Sequence, residues 1–116
     1  MNSVPEGAMI LNESHFRQMA CADLAGFVEL TGEFFVDARE RAANWLEIHE
    51  RGAGTQLREE FHRCKGAAAL FGFERMVSLL KEWEMDPEIA ESPLDMERFF
   101  RELKEAEEAV AAMGLG

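Results

Sequence analysis

The apolar positions of the chain fall into helical stripes, and no segment shows the alternation of a half-buried strand. Asn12-Glu13-Ser14 offers N-cap candidates for a short first helix carrying Phe16, Met19 and Ala20. Asp23 can cap a long second helix, in which Phe27, Val28, Phe34, Phe35, Ala38, Ala42, Trp45 and Leu46 recur at three- and four-residue spacings. That helix is expected to end near His49, before the breaker Arg51-Gly52-Ala53-Gly54. Thr55 is the expected cap of a third helix with Leu57, Phe61, Cys64, Ala68 and Phe71 on one side, and Gly72 is expected to bend or break it. Phe73, Met76, Val77, Leu80 and Trp83 mark a fourth helix. Asp86-Pro87 stops it, because proline removes a donor and disfavours helix in its predecessor. Ser92-Pro93 reads as a cap followed by proline at the first helical position. The last helix carries Met96, Phe99, Phe100, Leu103, Val110 and Met113 and is expected to end before Gly114.

The pattern predicts an all-α fold, an antiparallel up-down four-helix bundle with a short additional N-terminal helix. A length of 116 residues suits a single domain spanning 1–116, with residues 1–12 as a loose leader. A hydrophobic fraction of 47% supports a packed core. The 23 acidic residues against 12 Lys and Arg give a net charge of −11, which argues against nucleic acid and against anionic membranes as partners. No apolar run approaches the roughly 20 residues needed to span a bilayer, and Met1 to Gly7 lacks the features of a signal peptide. Cys21 and Cys64 have no metal-ligand spacing. Two reduced thiols in a cytoplasmic monomer are the expectation, with a single long-range disulfide as the less favoured alternative.

Chemistry concentrates between Phe61 and Gly72. At about 100° per residue, Leu57, Phe61, Cys64, Ala68 and Phe71 share the core face. His62 therefore points away from it, in line with Thr55, Arg58, Glu59, Lys65, Gly66 and Ala69. An exposed, neutral imidazole is a competent nucleophile near neutral pH. Were it phosphorylated, Lys65 and Arg58, one turn away on either side, are placed to offset the added charge. Gly66 costs helix stability and leaves open space where a partner's active site must approach.

His62, Lys65, Gly66, Ala67, Ala68 and Gly72 resemble the signature of histidine-containing phosphotransfer (HPt) domains. Phe71-Gly72-Phe73 makes the local likeness greatest to the phosphotransfer domain of chemotaxis histidine kinases. The resemblance implies that His62 is the phosphorylated residue and that Glu84 hydrogen-bonds its ring. It implies a phosphorelay carrier that takes a phosphoryl group from a receiver aspartate or a histidine kinase and passes it to a response-regulator aspartate. No cofactor is expected on this chain, and magnesium is expected from the receiver partner. Two positions depart from the family pattern. Phe61 stands where a small residue is usual, and Cys64 where an aliphatic one is, both on the inferred buried face.

Helix geometry points to Glu84 independently. If the chain reverses at Gly72, His62 lies ten residues before the turn and Glu84 twelve after it, at similar heights on neighbouring helices. Lys81, one turn from Glu84, adds positive charge, and Arg63 and Ala69 complete the candidate binding surface.

Other classes fit less well. Glu59 and His62 form one Glu-x-x-His pair, but a di-iron bundle needs two such pairs pointing inward, and no His/Cys spacing supports zinc. The chain carries no nucleotide-binding motif, so it is not expected to be a kinase itself. The remaining alternative is a binding-only bundle that sequesters a signalling partner without phosphotransfer.

Overall fold

Three aspartate or asparagine caps open helices in this chain. Asn12 accepts from the His15 N–H at 3.1 Å, Asp23 from Gly26 at 2.9 Å and Asp95 from Arg98 at 3.1 Å, each satisfying a donor that has no partner inside its helix. The computed structural model describes residues 8–115. Its helices are α1 (Glu13–Ala20), α2 (Leu24–Ala42), α3 (Trp45–Glu50), α4 (Gly54–Phe71), α5 (Glu74–Met85) and α6 (Met96–Ala112).

Three boundaries differ from the expectation. The long second helix breaks after Ala42. At Asn44 the side chain turns back to the Glu40 carbonyl and the backbone N–H tightens onto Arg41, so the regular ladder stops. The chain re-enters helix at once as α3, which preserves the apolar spacing across the break. Thr55 is not a cap. Gly52, at a φ of 71°, turns the chain so that α4 starts at Gly54 with Ala53 as its uncapped predecessor. Ser92-Pro93 does not open the last helix either. Asp95 does, and buried Ile89 pins the connection before it.

α2 with its continuation α3, α4, α5 and α6 form the bundle, with successive bundle helices antiparallel. Phe34 meets Phe71 while Arg41 pairs with Glu60, so α2 and α4 run in opposite directions. Arg75 pairs with Glu102 at 2.6 Å and Arg98 with Glu82 at 3.2 Å, which opposes α5 to α6. Trp45 against Phe99, and Arg39 with Glu107, close the ring between α6 and α2. The chain therefore has the expected all-helical bundle, with α1 packed against α2 and α4. Among the described residues, no helix is long and apolar enough to cross a membrane.

The core holds two groups of rings. Phe16, Phe27, Phe34, Phe35, Phe71 and Phe73 pack around the α4–α5 turn. Further along the bundle, Phe61 lies between Trp45 at 5.1 Å and Trp83 at 5.3 Å, with Phe99 against both tryptophans. The stripes also swept in Met19, Leu46 and Phe100, which are exposed. Glu102, by contrast, is buried on α6, and burial pushes its carboxyl upward while Arg75 opposes the shift.

Residues 9–12, expected to be loose, are tied to the α4–α5 turn. Asn12 N–H donates to the Gly72 carbonyl at 2.8 Å, Arg75 N–H to Met9 at 2.9 Å, and the Asn12 amide to Glu74 at 2.8 Å. The rest of the expected leader, residues 1–7, lies outside the described residues. Cys21 and Cys64 are both free thiols. Burial, with the charges of Asp37 and Glu60, pushes the Cys64 thiol up to about 12.

Phe61 has no exposed surface and fills the space between two tryptophans. Phe61→Ala should therefore destabilise the bundle by about 3–5 kcal/mol, through lost transfer energy and the cavity left behind. A urea titration with an unchanged m-value reads that loss directly. A cost below about 1 kcal/mol would mean that the two indoles close the gap.

Candidate functional site

The site lies where the middle of α4 passes the last turn of α5. Gly72 ends α4 in the left-handed region at a φ of 82°, and α5 starts two residues later. The tight reversal brings His62 and Glu84 level on adjacent helices, and their side chains meet: His62 Nδ1 lies 2.9 Å from Glu84 Oε2. The other carboxylate oxygen, Oε1, is 2.7 Å from Lys65 Nζ. One carboxylate thus bridges an imidazole and an ammonium set three residues apart on α4.

Exposure divides the three groups. The His62 side chain is 72% exposed, whereas those of Lys65 and Glu84 are 25% and 22% exposed. The Lys65 hydrogen bond holds the Glu84 carboxyl below the usual carboxylate range, the His62 hydrogen bond adds to this, and partial burial opposes both. Glu84 is the penultimate residue of α5, where the helix dipole disfavours a negative charge. The two α4 partners supply the compensation.

An ionised carboxylate at Nδ1 accepts a proton-bearing nitrogen. The tautomer it favours has Nδ1–H donating to Glu84 and a bare Nε2 lone pair on the outward side of the ring. One turn further along, Gly66 is exposed, and a Cβ built on it would meet nothing within 4 Å. Beside His62 opens a shallow depression of about 470 Å³ lined by Thr55, Arg58, Glu59, Arg63 and Glu84.

The family model of the Hpt domain matches residues 29–113, most of the bundle and all of this site. The chain belongs to the Hpt domain family. It is a phosphotransfer signalling carrier of the two-component type, a class of domain that interacts with histidine kinases and receiver domains. Comparison with curated proteins and with solved structures returned no match. The segment that precedes the match includes α1 and the strap over the α4–α5 turn.

In this Hpt domain the residues singled out from the sequence do not all converge. His62, Lys65 and Glu84 are in contact, with Gly66 beside them on α4. Arg63 lines the depression and is exposed. Arg58 lines it too, but its guanidinium donates to the carbonyls of Asp86 at 3.1 Å and Pro87 at 3.2 Å. Ala69 is exposed on α4 and borders a different hollow, with Asn12, His15 and Val77. Lys81 is exposed and bonds neither His62 nor Glu84.

Thr55 and Glu59 line the depression and were absent from the candidate residues, although both lie on the helical side of His62. His15 and His49 are structural, each donating its Nε2–H to a backbone carbonyl, that of Leu70 at 3.0 Å and that of Ser92 at 2.6 Å. Among the described residues, no group of three or more His, Cys, Asp or Glu could hold a metal ion.

Two outcomes follow from this geometry. Because the folded Glu84 carboxyl is depressed, its ionised contacts stabilise the fold above the ordinary carboxylate range and are lost as pH falls through the depressed value. Carboxyl 13C shifts should titrate below 4.5 in the parent and move upward in Lys65→Met. A parent midpoint at or above 4.5 would remove the Lys65 bridge from the account. At Gly66, a methyl group meets open space, so Gly66→Ala should stabilise the domain by roughly 0.5–1 kcal/mol through helix propensity, read from thermal melts.

Proposed function

We propose that His62 Nε2 is the atom that carries the phosphoryl group, and that the domain relays it between aspartates of receiver domains or from a histidine kinase to a receiver. The observation that supports this most directly is the division of labour on one ring. Glu84 occupies Nδ1, while the rest of the imidazole is open to solvent beside an unobstructed glycine.

On this reading the step is an in-line displacement. The Nε2 lone pair forms the N–P bond as the bond from phosphorus to the donor oxygen breaks, and that oxygen keeps the electron pair. The ring becomes cationic, and Glu84 stabilises it through the Nδ1–H hydrogen bond. Onward transfer is the reverse step with a different aspartate carboxylate as acceptor. Magnesium and the acidic pocket that neutralise the moving phosphoryl group belong to the receiver. Lys65 has a second role. Its ammonium is held by Glu84 Oε1 next to the imidazole and adds positive charge where the phosphoryl group arrives.

Gly66 provides clearance. A receiver must bring its aspartate within bonding distance of a ring fixed on the helix, and a side chain at Gly66 projects into that approach. Gly66→Gln should therefore fold at least as well as the parent while transfer falls steeply, with Gly66→Ala losing less. Transfer at the parent rate in Gly66→Gln would end the clearance role.

The central test is direct. The protein is incubated with a phosphorylated receiver and the label is mapped. His62→Gln should stay helical and lose all label, and the parent label should be acid-labile and base-stable. Label that persists in His62→Gln, or that maps to His15 or His49, would sink the proposal. A stable complex with no label would favour the sequestering alternative.

A further inference from the structure

Arg58 sits one turn before His62 on α4 and was expected to face the phosphoryl group. Its guanidinium is otherwise engaged. One terminal nitrogen donates to the carbonyls of both Asp86 and Pro87, and the other lies beside Gly54, near enough that a Cβ there would be 3.5 Å away. We propose that Arg58 is a positioning residue: it clamps the C-terminus of α5 and so holds Glu84 on the His62 ring. This inference rests on the reading of His62 as the phosphoryl carrier for its kinetic consequence, though not for its structural one.

The physical case begins with where α5 ends. The helix stops at Met85, and Asp86, the C-cap, is extended with a ψ of 114°. The final turn of a helix frays unless it or the chain leaving it is held, and Arg58 holds that chain at Asp86 and Pro87, directly after the helix. Glu84 belongs to that turn, so the carboxylate that orients His62 stands on the least secure part of α5. No glycine closes this terminus in a left-handed cap, unlike the α4 terminus at Gly72. A terminal guanidinium nitrogen carries two N–H donors in a fixed plane, enough for two neighbouring carbonyls, and the positive charge also suits the negative end of the helix dipole. Spanning from the first turns of α4 to the residues just after α5, Arg58 fixes the two helices against each other one turn from His62.

A direct electrostatic role for Arg58 makes a different prediction. If its charge acted on the phosphoryl group, it would do so whether or not Glu84 were intact. If it acts through Glu84, removing the carboxylate should remove its effect.

The experiment is a double-mutant cycle with two readouts. Arg58→Ala and Arg58→Lys are made in the parent and in Glu84→Gln. The first readout is the pair of 15N shifts of the His62 ring in the unphosphorylated protein, which report the tautomer and need no partner. The second is the rate of phosphoryl transfer from a phosphorylated receiver. Arg58→Ala should move the ring shifts away from the Nδ1–H form and slow transfer by about fivefold, the scale of one lost ordinary hydrogen bond. In Glu84→Gln the same substitution should add no further loss. Arg58→Lys, which keeps the charge but not the reach and planar donors of the guanidinium, should lie between parent and Ala in both readouts.

Unmoved ring shifts in Arg58→Ala would overturn the proposal, as would a full multiplicative loss of rate in Glu84→Gln. Full rescue by lysine would do the same, since charge alone would then suffice. If Arg58→Ala fails to fold, the Arg58→Lys ring shifts decide, and parent values there count against the clamp. A parent protein that takes no label would defeat the reading of His62, while the ring shifts would still decide the role of Arg58.

Discussion

At Gly72 the backbone adopts a φ of 82° with the Asn12 carbonyl so close that a Cβ would lie 3.0 Å from it, and both conditions favour a residue without a side chain. Everything functional in this domain is measured from that turn. Because α4 ends and α5 begins within two residues of it, the helices leave it antiparallel with a fixed offset, and His62 meets Glu84 without any loop to adjust the match. The surrounding structure holds the turn. Phe71 and Phe73, on its two sides, stack on each other and pack against phenylalanines of α2. From outside, Asn12 donates to the Gly72 carbonyl, which ties the chain before α1 to the same point.

The charge distribution sets a second constraint. A chain with a net charge of −11 places the proposed nucleophile, His62, beside a carboxylate, an arrangement that would repel an incoming phosphoryl group were the carboxylate alone. Lys65 neutralises that neighbourhood. It shares the carboxylate with His62, keeps it ionised, and leaves the ring with a fixed acceptor on one side only. Arg58 and the exposed Arg63 add positive charge around the same depression, against the single further carboxylate of Glu59.

Much of this was legible in the sequence for identifiable reasons. The apolar stripes gave the bundle because helical periodicity records which face is buried, and the Lys65-Gly66 pair beside an outward His62 marked the site. Equal distances from a glycine turn located Glu84 from helix rise alone. Periodicity could not reveal the break at Asn44, because α3 resumes in phase and Trp45 still reaches the core. Nor could it choose between Ser92 and Asp95 as a cap, since both precede the stripe and the choice turns on which carboxylate or hydroxyl meets a free N–H. The direction of the Arg58 side chain was illegible for a related reason. A helical wheel fixes the Cβ vector, whereas a long side chain goes where acceptors lie, and the carbonyls of Asp86 and Pro87 come from another part of the chain. The strap over Gly72 was also hidden, because its bonds are made largely by backbone groups.

The exposure of a single imidazole on a single helix face has a consequence for how traffic through such a domain is organised. On the proposed reading of His62 as the carrier, one outward nitrogen admits one active site at a time, so the protein that delivers the phosphoryl group would have to leave before the protein that removes it could dock. Turnover would then follow ping-pong kinetics, with the phosphorylated domain as the obligatory free intermediate. Delivery and removal would then meet at the same ring, and each partner would be a competitive inhibitor of the other. An excess of unphosphorylated acceptor speeds discharge but also occludes recharging, so throughput peaks at an intermediate ratio of the two partners.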